Sequence, residues 1–173
     1  MAFVATGGNH TVALLQNGSV RCWGDTFSGQ CDVPSDLGVV TSVAAGCDSM
    51  VVLLEDGSVR CWGDNHRGQC DVPSDLGVVT SVAAAGYYYT VVVLEDGSVR
   101  CWGFNGFGQC SVPVDLGVVT SVAAGKYHTV ALLEDGRVHC WGNNFDGECN
   151  VPEDLSRIGP CEALTKRAVR RSS

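Results

Sequence analysis

Residues 39–77 read VVTSVAAGCDSMVVLLEDGSVRCWGDNHRGQCDVPSDLG. Val39 to Ala45 is apolar and β-branched and ends at Gly46, which predicts a strand, A. Met50 to Leu54 predicts strand B. Asp56-Gly57 then predicts a two-residue type I′ hairpin, because both residues tolerate positive φ. Val59 to Gly63 predicts strand C. Asp64-Asn65-His66-Arg67 predicts a turn closed by Gly68, and Gln69 to Val72 predicts strand D, ended by Pro73. Short strands joined by short turns make an antiparallel meander. One sheet of this size cannot bury both of its faces, so it must stack on neighbours.

The neighbours are in the same chain. Cys-Trp-Gly begins at Cys22, Cys61, Cys101 and Cys140, at steps of 39, 40 and 39 residues. One additional alanine in Ser81-Val82-Ala83-Ala84-Ala85-Gly86 accounts for the longer step. The repeats run 1–38, 39–77, 78–117 and 118–156, and residues 157–173 leave the pattern. A period near 40 residues with four strands predicts a β-propeller blade. A helical solenoid is disfavoured, because no apolar 3.6-residue period is present and D-G and V-P turns interrupt each unit. The expected fold is all-β: four four-stranded blades.

Composition agrees with a globular chain: of 173 residues, 45% are apolar and 17% charged. No apolar run approaches the roughly 18 residues of a membrane span. The first residues lack the basic and apolar regions of a secretory signal, so the expected location is intracellular, cytoplasmic or nuclear. Residues 157–173 carry five basic groups and one acid, a charge of +4. Taken from the net −8, this leaves −12 on the repeats, which argues against nucleic acid as a partner of the body. The tail, from Pro160 to Arg171, predicts a short helix that contributes little to the fold.

The fourth repeat, from Gly125 through His128-Thr129-Val130 to Trp141-Gly142 and Gly147, resembles the repeat of the regulator of chromosome condensation family. The resemblance covers all four units. It implies blades of a seven-bladed propeller type. At about 51° per blade four of them span roughly 206°, an open arc whose end faces are bare or covered by self-association. It also implies two alternatives to a plain binding scaffold. One is nucleotide exchange on a small GTPase, which in the family depends on an inserted wedge and a full ring. The other is substrate recognition within a HERC-type ubiquitin ligase.

Trp23, Trp62, Trp102 and Trp141 occur once per blade before a glycine and are expected to pack between blades. Eight of the ten cysteines pair as Cys22/Cys31, Cys61/Cys70, Cys101/Cys110 and Cys140/Cys149. Opposed across a hairpin, each pair lies within disulfide range. Without a secretory signal they are expected as reduced thiols. The C-x8-C spacing is poor for zinc, so no metal is expected. Arg21, Arg60 and Arg100 share a column expected to stack on a ring or pair with an acid at a blade edge. No nucleophile–base constellation or phosphate-cradling loop is visible, so neither enzymatic chemistry nor a cofactor is expected. The G-x-x-H-T column holds His10 and His128 but Ser49 and Tyr89 in the other units, which does not suit a catalytic base.

Comparing the units locates the variable positions. The B–C turns and D-to-A connections are nearly constant, whereas the A–B loops and C–D turns differ, and in a meander these lie at the same end of the strands. The candidate protein-binding residues there are Phe27, His66, Arg67, Tyr87, Tyr88, Tyr89, Phe104, Phe107, Lys126, Tyr127 and Phe145. Aromatic side chains on a rigid loop face are the chemistry of protein recognition. The expected function is therefore a protein-binding module.

Overall fold

The computed structural model describes residues 3–83, 87–153 and 155. The first repeat forms β1 (Phe3–Thr6), β2 (His10–Leu14) and β3 (Val20–Gly24). The second forms β4 (Val40–Ala45), β5 (Ser49–Leu54) and β6 (Val59–Gly63). The third forms β7 (Val79–Ala83), β8 (Tyr89–Leu94) and β9 (Val99–Gly103), and the fourth β10 (Val119–Ala124), β11 (His128–Leu133) and β12 (Val138–Gly142). Each repeat is one antiparallel sheet with its strands in chain order. The short helix expected in the tail lies outside the described residues.

The blades have three strands, not four. Strands A, B and C of the second repeat stand within a residue of their expected limits, but Gln69 to Val72 is a succession of turns. The backbone groups that would have laddered onto strand C are committed elsewhere. Cys70 N–H donates to Asn65 Oδ1 at 2.8 Å, Asp71 N–H to Gly68 O at 3.1 Å, and the Gln69 carbonyl is taken by the next blade. Alternation in sequence cannot reveal this, because a four-residue apolar-polar string reads the same in either state.

The B–C turn also differs. Gly57 N–H donates to Leu54 O at 3.0 Å and Leu54 N–H to Ser58 O at 2.9 Å. Only Gly57 has positive φ, 80°, whereas a type I′ turn needs two such residues. This is a type I turn followed by a left-handed glycine. Asp56 stays right-handed because its carboxylate accepts bonds from the Ser58 amide and hydroxyl at 2.9 and 2.6 Å.

The core lies between blades. Val12 and Leu14 of the first blade pack with Met50 and Val52 of the second. Val51 and Leu53 pack with Val92 of the third, and Val91 and Val93 with Ala131 of the fourth. Burying each Val or Leu contributes about 1.5–3 kcal/mol, and every one of these contacts crosses from one repeat to the next. The tryptophans sit at the same seams. Trp62, Trp102 and Trp141 Nε1–H donate to the carbonyls of Gln30, Gln69 and Gln109 of the preceding blade at 3.1, 3.0 and 2.9 Å. Thr90 and Thr129 hydroxyls donate to the Gln69 and Gln109 carbonyls, each at 2.9 Å. Trp23, in the first blade, is 53% exposed, against 8% for Trp141.

Arg60 pairs with Asp36 at 3.6 Å and Arg100 with Asp75 at 3.2 Å, each acid belonging to the preceding repeat. These edge pairs are open to solvent and are worth little individually.

Candidate functional site

The C–D turns of the first three blades are each built on a buried glutamine. Gln30, Gln69 and Gln109 accept the amides of Ser28, Arg67 and Phe107 on Oε1 at 2.9, 2.9 and 3.0 Å. Glu148 does the same for Asp146 at 2.9 Å. The amide nitrogens of Gln30 and Gln69 then reach Asp25 at 3.3 Å and Asp64 at 2.8 Å. In the third blade Phe104 stands where those aspartates do, and Gln109 Nε2 has no partner. That exchange of an acid for a ring leaves a buried donor unpaired, at a cost of about 1–3 kcal/mol. The Gly-Gln repeat was plain in the sequence, but nothing in its spacing marked the glutamine as the turn's anchor.

Phe104 opens an aromatic array. Its ring centroid lies 6.1 Å from Phe107 and 6.1 Å from Tyr127. Phe107 and Tyr127 are 4.6 Å apart, and Phe145 lies 6.3 Å from Phe107. Tyr127 continues to Tyr87 at 6.0 Å, and Tyr87 to Tyr88 at 5.6 Å. Six rings from the third and fourth blades thus form one continuous surface. Arg67 places its guanidinium 5.5 Å over Phe104, and Lys126 its ammonium 4.6 Å from Tyr87 and 5.3 Å from Tyr127. Both cations are exposed. Tyr88 has φ of 71°, the one non-glycine residue in the left-handed region among those described. Such a conformation costs about 1–3 kcal/mol and gathers at functional sites.

The other candidates are placed differently. Tyr89 belongs to the core: it is 2% exposed, and its hydroxyl donates to His128 O at 2.6 Å and approaches Gly125 O at 3.1 Å. It starts strand β8, so its side chain points between blades while Tyr87 and Tyr88 stay on the loop. Burial raises its pKa. Phe27 is 95% exposed and touches none of the six rings. With Ser28, Asp48, Asp64, His66, Arg67 and Tyr88 it lines a shallow groove of about 540 Å³ beside the array. His66 Nδ1 meets Asp64 Oδ1. Burial pulls the Asp64 pKa up, but hydrogen bonds from the His66 ring and amide and from Gln69 outweigh it, and the carboxyl is held down.

The cysteine pairs meet as their spacing required, although through turns rather than a strand ladder. Cys22 and Cys31 are joined in a disulfide with Cα atoms 5.0 Å apart, contrary to the expectation of reduced thiols. Cys61 and Cys70 face each other as thiols with Sγ atoms 2.8 Å apart. The hydrogen bond to Cys70, then burial, push the Cys61 thiol up. Burial and the Cys149 thiol push Cys140 up to about 12. These are not activated nucleophiles. Among the described residues no group of three or more His, Cys, Asp or Glu side chains is arranged to hold a metal ion, and no helix is long and apolar enough to cross a membrane.

Stacked three-stranded meanders joined by tryptophan and glutamine, with a variable loop face, define a β-propeller repeat array. The regulator of chromosome condensation (RCC1) repeat matches residues 2–30, 40–69, 79–109 and 119–148. The chain belongs to that family. Among solved structures it is similar to Prp20p from Saccharomyces cerevisiae, whose binding properties toward Gsp1p and histones are known. The TM-score is 0.71 at 21% identity over 81% of this chain and 44% of that one. Human WBSCR16 gives a TM-score of 0.72 at 24% identity, over 80% of this chain and 46% of that one. The CRINKLY ectodomain of the Arabidopsis thaliana receptor kinase ACR4 gives 0.70 at 28% identity, over 82% and 50%. The chain spans about half the length of these structures or less. No curated protein sequence matches it.

Proposed function

We propose that the chain is a protein-binding module that acts through the ring array of its third and fourth blades. The observation that carries this reading is the array itself: Tyr88, Tyr87, Tyr127, Phe104, Phe107 and Phe145 in continuous contact, with Arg67 and Lys126 over them. Aromatic rings and arginine dominate the binding energy of protein interfaces. The rigid blades beneath reduce the ordering cost on binding. The array differs from blade packing in chemistry, since its rings are grouped on loops while the seams use valine, leucine and tryptophan. The proposal assigns no catalytic step and no cofactor to the chain.

The test is affinity capture with the wild type and with a Phe107→Ser/Tyr127→Ser variant whose circular dichroism is unchanged, followed by titration of the captured protein. Affinity should fall at least about 30-fold in the variant, while Phe27→Ser changes it little. Equal affinity in wild type and double variant would show that the array is not the binding surface. The likeness to Prp20p favours a small GTPase as a second reading of the partner. Accelerated nucleotide release from any member of a small-GTPase panel would support it, and no acceleration would leave the plain scaffold.

A further inference from the structure

Of the eleven lysines and arginines, six lie in the repeats. Arg60, Arg100 and Arg137 pair with Asp36, Asp75 and Asp135, acids of the D-to-A connections and of a B–C turn. Only Arg67 and Lys126 stand on the variable A–B loops and C–D turns, and both lie over rings of the array. Neither joins an ion pair among the described residues. Asp48 and Asp64 line the groove beside Arg67, but Asp64 is held by His66 and Gln69, and neither acid pairs with the guanidinium. The array therefore carries two uncompensated cations on a set of repeats whose net charge is −12.

This placement restricts what can cover the rings. A partner that buries Phe104, Tyr127 and Tyr87 also takes Arg67 and Lys126 out of water. A cation buried without an anion is strongly unfavourable, and neutral acceptors leave its charge uncompensated. The attraction of a cation to a ring face does not make good that loss. We infer that the array binds an acidic protein segment, which sets one carboxylate against Arg67 and another against Lys126, with apolar or aromatic side chains on the rings between them. The inference rests on the reading of the array as the binding surface and gives the chemistry of its partner. Arg67 offers a planar fork that a carboxylate meets with two parallel N–H···O bonds, whereas Lys126 offers a point charge. Arg67 lies 5.5 Å from Phe104, Phe104 6.1 Å from Tyr127, and Tyr127 5.3 Å from Lys126. The cations are thus less than about 17 Å apart, and an extended segment crosses that gap in about five residues. The net charge of the repeats pulls the other way, toward basic peptides, but salt screens it beyond about 8 Å, and contact at the array decides.

Selection from a random peptide library displayed on phage, with the full chain as bait at physiological salt, tests this. Bound peptides should carry two acids within about five residues of each other, beside aromatic residues or leucine. A selected peptide with its acids changed to Asn and Gln should bind at least about 10-fold more weakly. Against an Arg67→Gln/Lys126→Gln chain of unchanged circular dichroism, the same change should cost less than about 2-fold. Peptides rich in Lys and Arg, the choice that net charge alone would make, overturn the inference. So do neutral peptides, a selection that yields no binder, or an acid preference that survives Arg67→Gln/Lys126→Gln. Peptides without acids that are lost on the Phe107→Ser/Tyr127→Ser chain would sink the inference alone. Peptides bound equally by that chain would sink the reading of the array as well.

Discussion

Trp102→Ala isolates the energy of a seam. The indole sits between the second and third blades against the cluster that includes Val51, Leu53 and Val92, and donates to Gln69 O at 3.0 Å. Its loss removes the apolar contact and one hydrogen bond worth about 0.5–1.5 kcal/mol. The Gln69 carbonyl is not orphaned, because the Thr90 hydroxyl still donates to it at 2.9 Å. The expected cost is therefore near the lower end of the range for a core tryptophan, about 3 kcal/mol. Trp102→Phe retains most of the ring and should cost about 1 kcal/mol, mainly the hydrogen bond. Trp23→Ala makes the same chemical change at an indole that is 53% exposed, and should cost about 0.5 kcal/mol or less. Urea unfolding followed by circular dichroism measures all three. Because the seam lies in the middle of the array, Trp102→Ala should also broaden the transition as the halves uncouple. Equal losses for Trp23→Ala and Trp102→Ala would refute the assignment of stability to the seams.

Ellman titration of the denatured chain without reductant should count eight thiols, the ten cysteines less the Cys22–Cys31 pair. A count of two would mean that all four pairs are bridged and would contradict the reduced pairs. His10 is buried, and its burial, opposed by Asp48 and Asp25, lowers its pKa below 6.5. The unfolded chain then binds more protons below that pH, so stability should fall as pH drops from about 6.5 toward the folded pKa. His10→Ser, the residue of that column in the second blade, should lower stability at pH 8 but flatten this slope; parallel slopes would exclude His10 as the cause. Gly63→Ala forces a Cβ to 2.5 Å from Asp48 O and 2.9 Å from Ser49 Cα at φ of 101°, whereas Gly77, at φ of 77°, has nothing within 4 Å. Thermal melts should show a loss of about 3 kcal/mol or more for Gly63→Ala and about 1 kcal/mol for Gly77→Ala, the cost of positive φ alone.

The repeat, its period and three of the four expected strands were legible in the sequence because each rests on local chemistry. β-branched runs set the strands, Asp-Gly set the hairpin, and Cys-Trp-Gly marked the register of one unit against the next. The pairing of cysteines nine residues apart was legible for the same reason. Tertiary structure decided what depends on the adjacent blade. The turns over Gln69 to Val72 leave the Gln69 carbonyl out of the sheet, and Trp102 and Thr90, some thirty and twenty residues further along the chain, claim it. Tyr89 looked like its neighbours Tyr87 and Tyr88 in a tyrosine triplet, but a strand begins there and turns its side chain into a seam. The variable loops were legible as a face. That six of their rings touch while Phe27 stands apart depends on how one blade is set against the next. Packing between repeats sets that, and the order of residues within a repeat does not encode it.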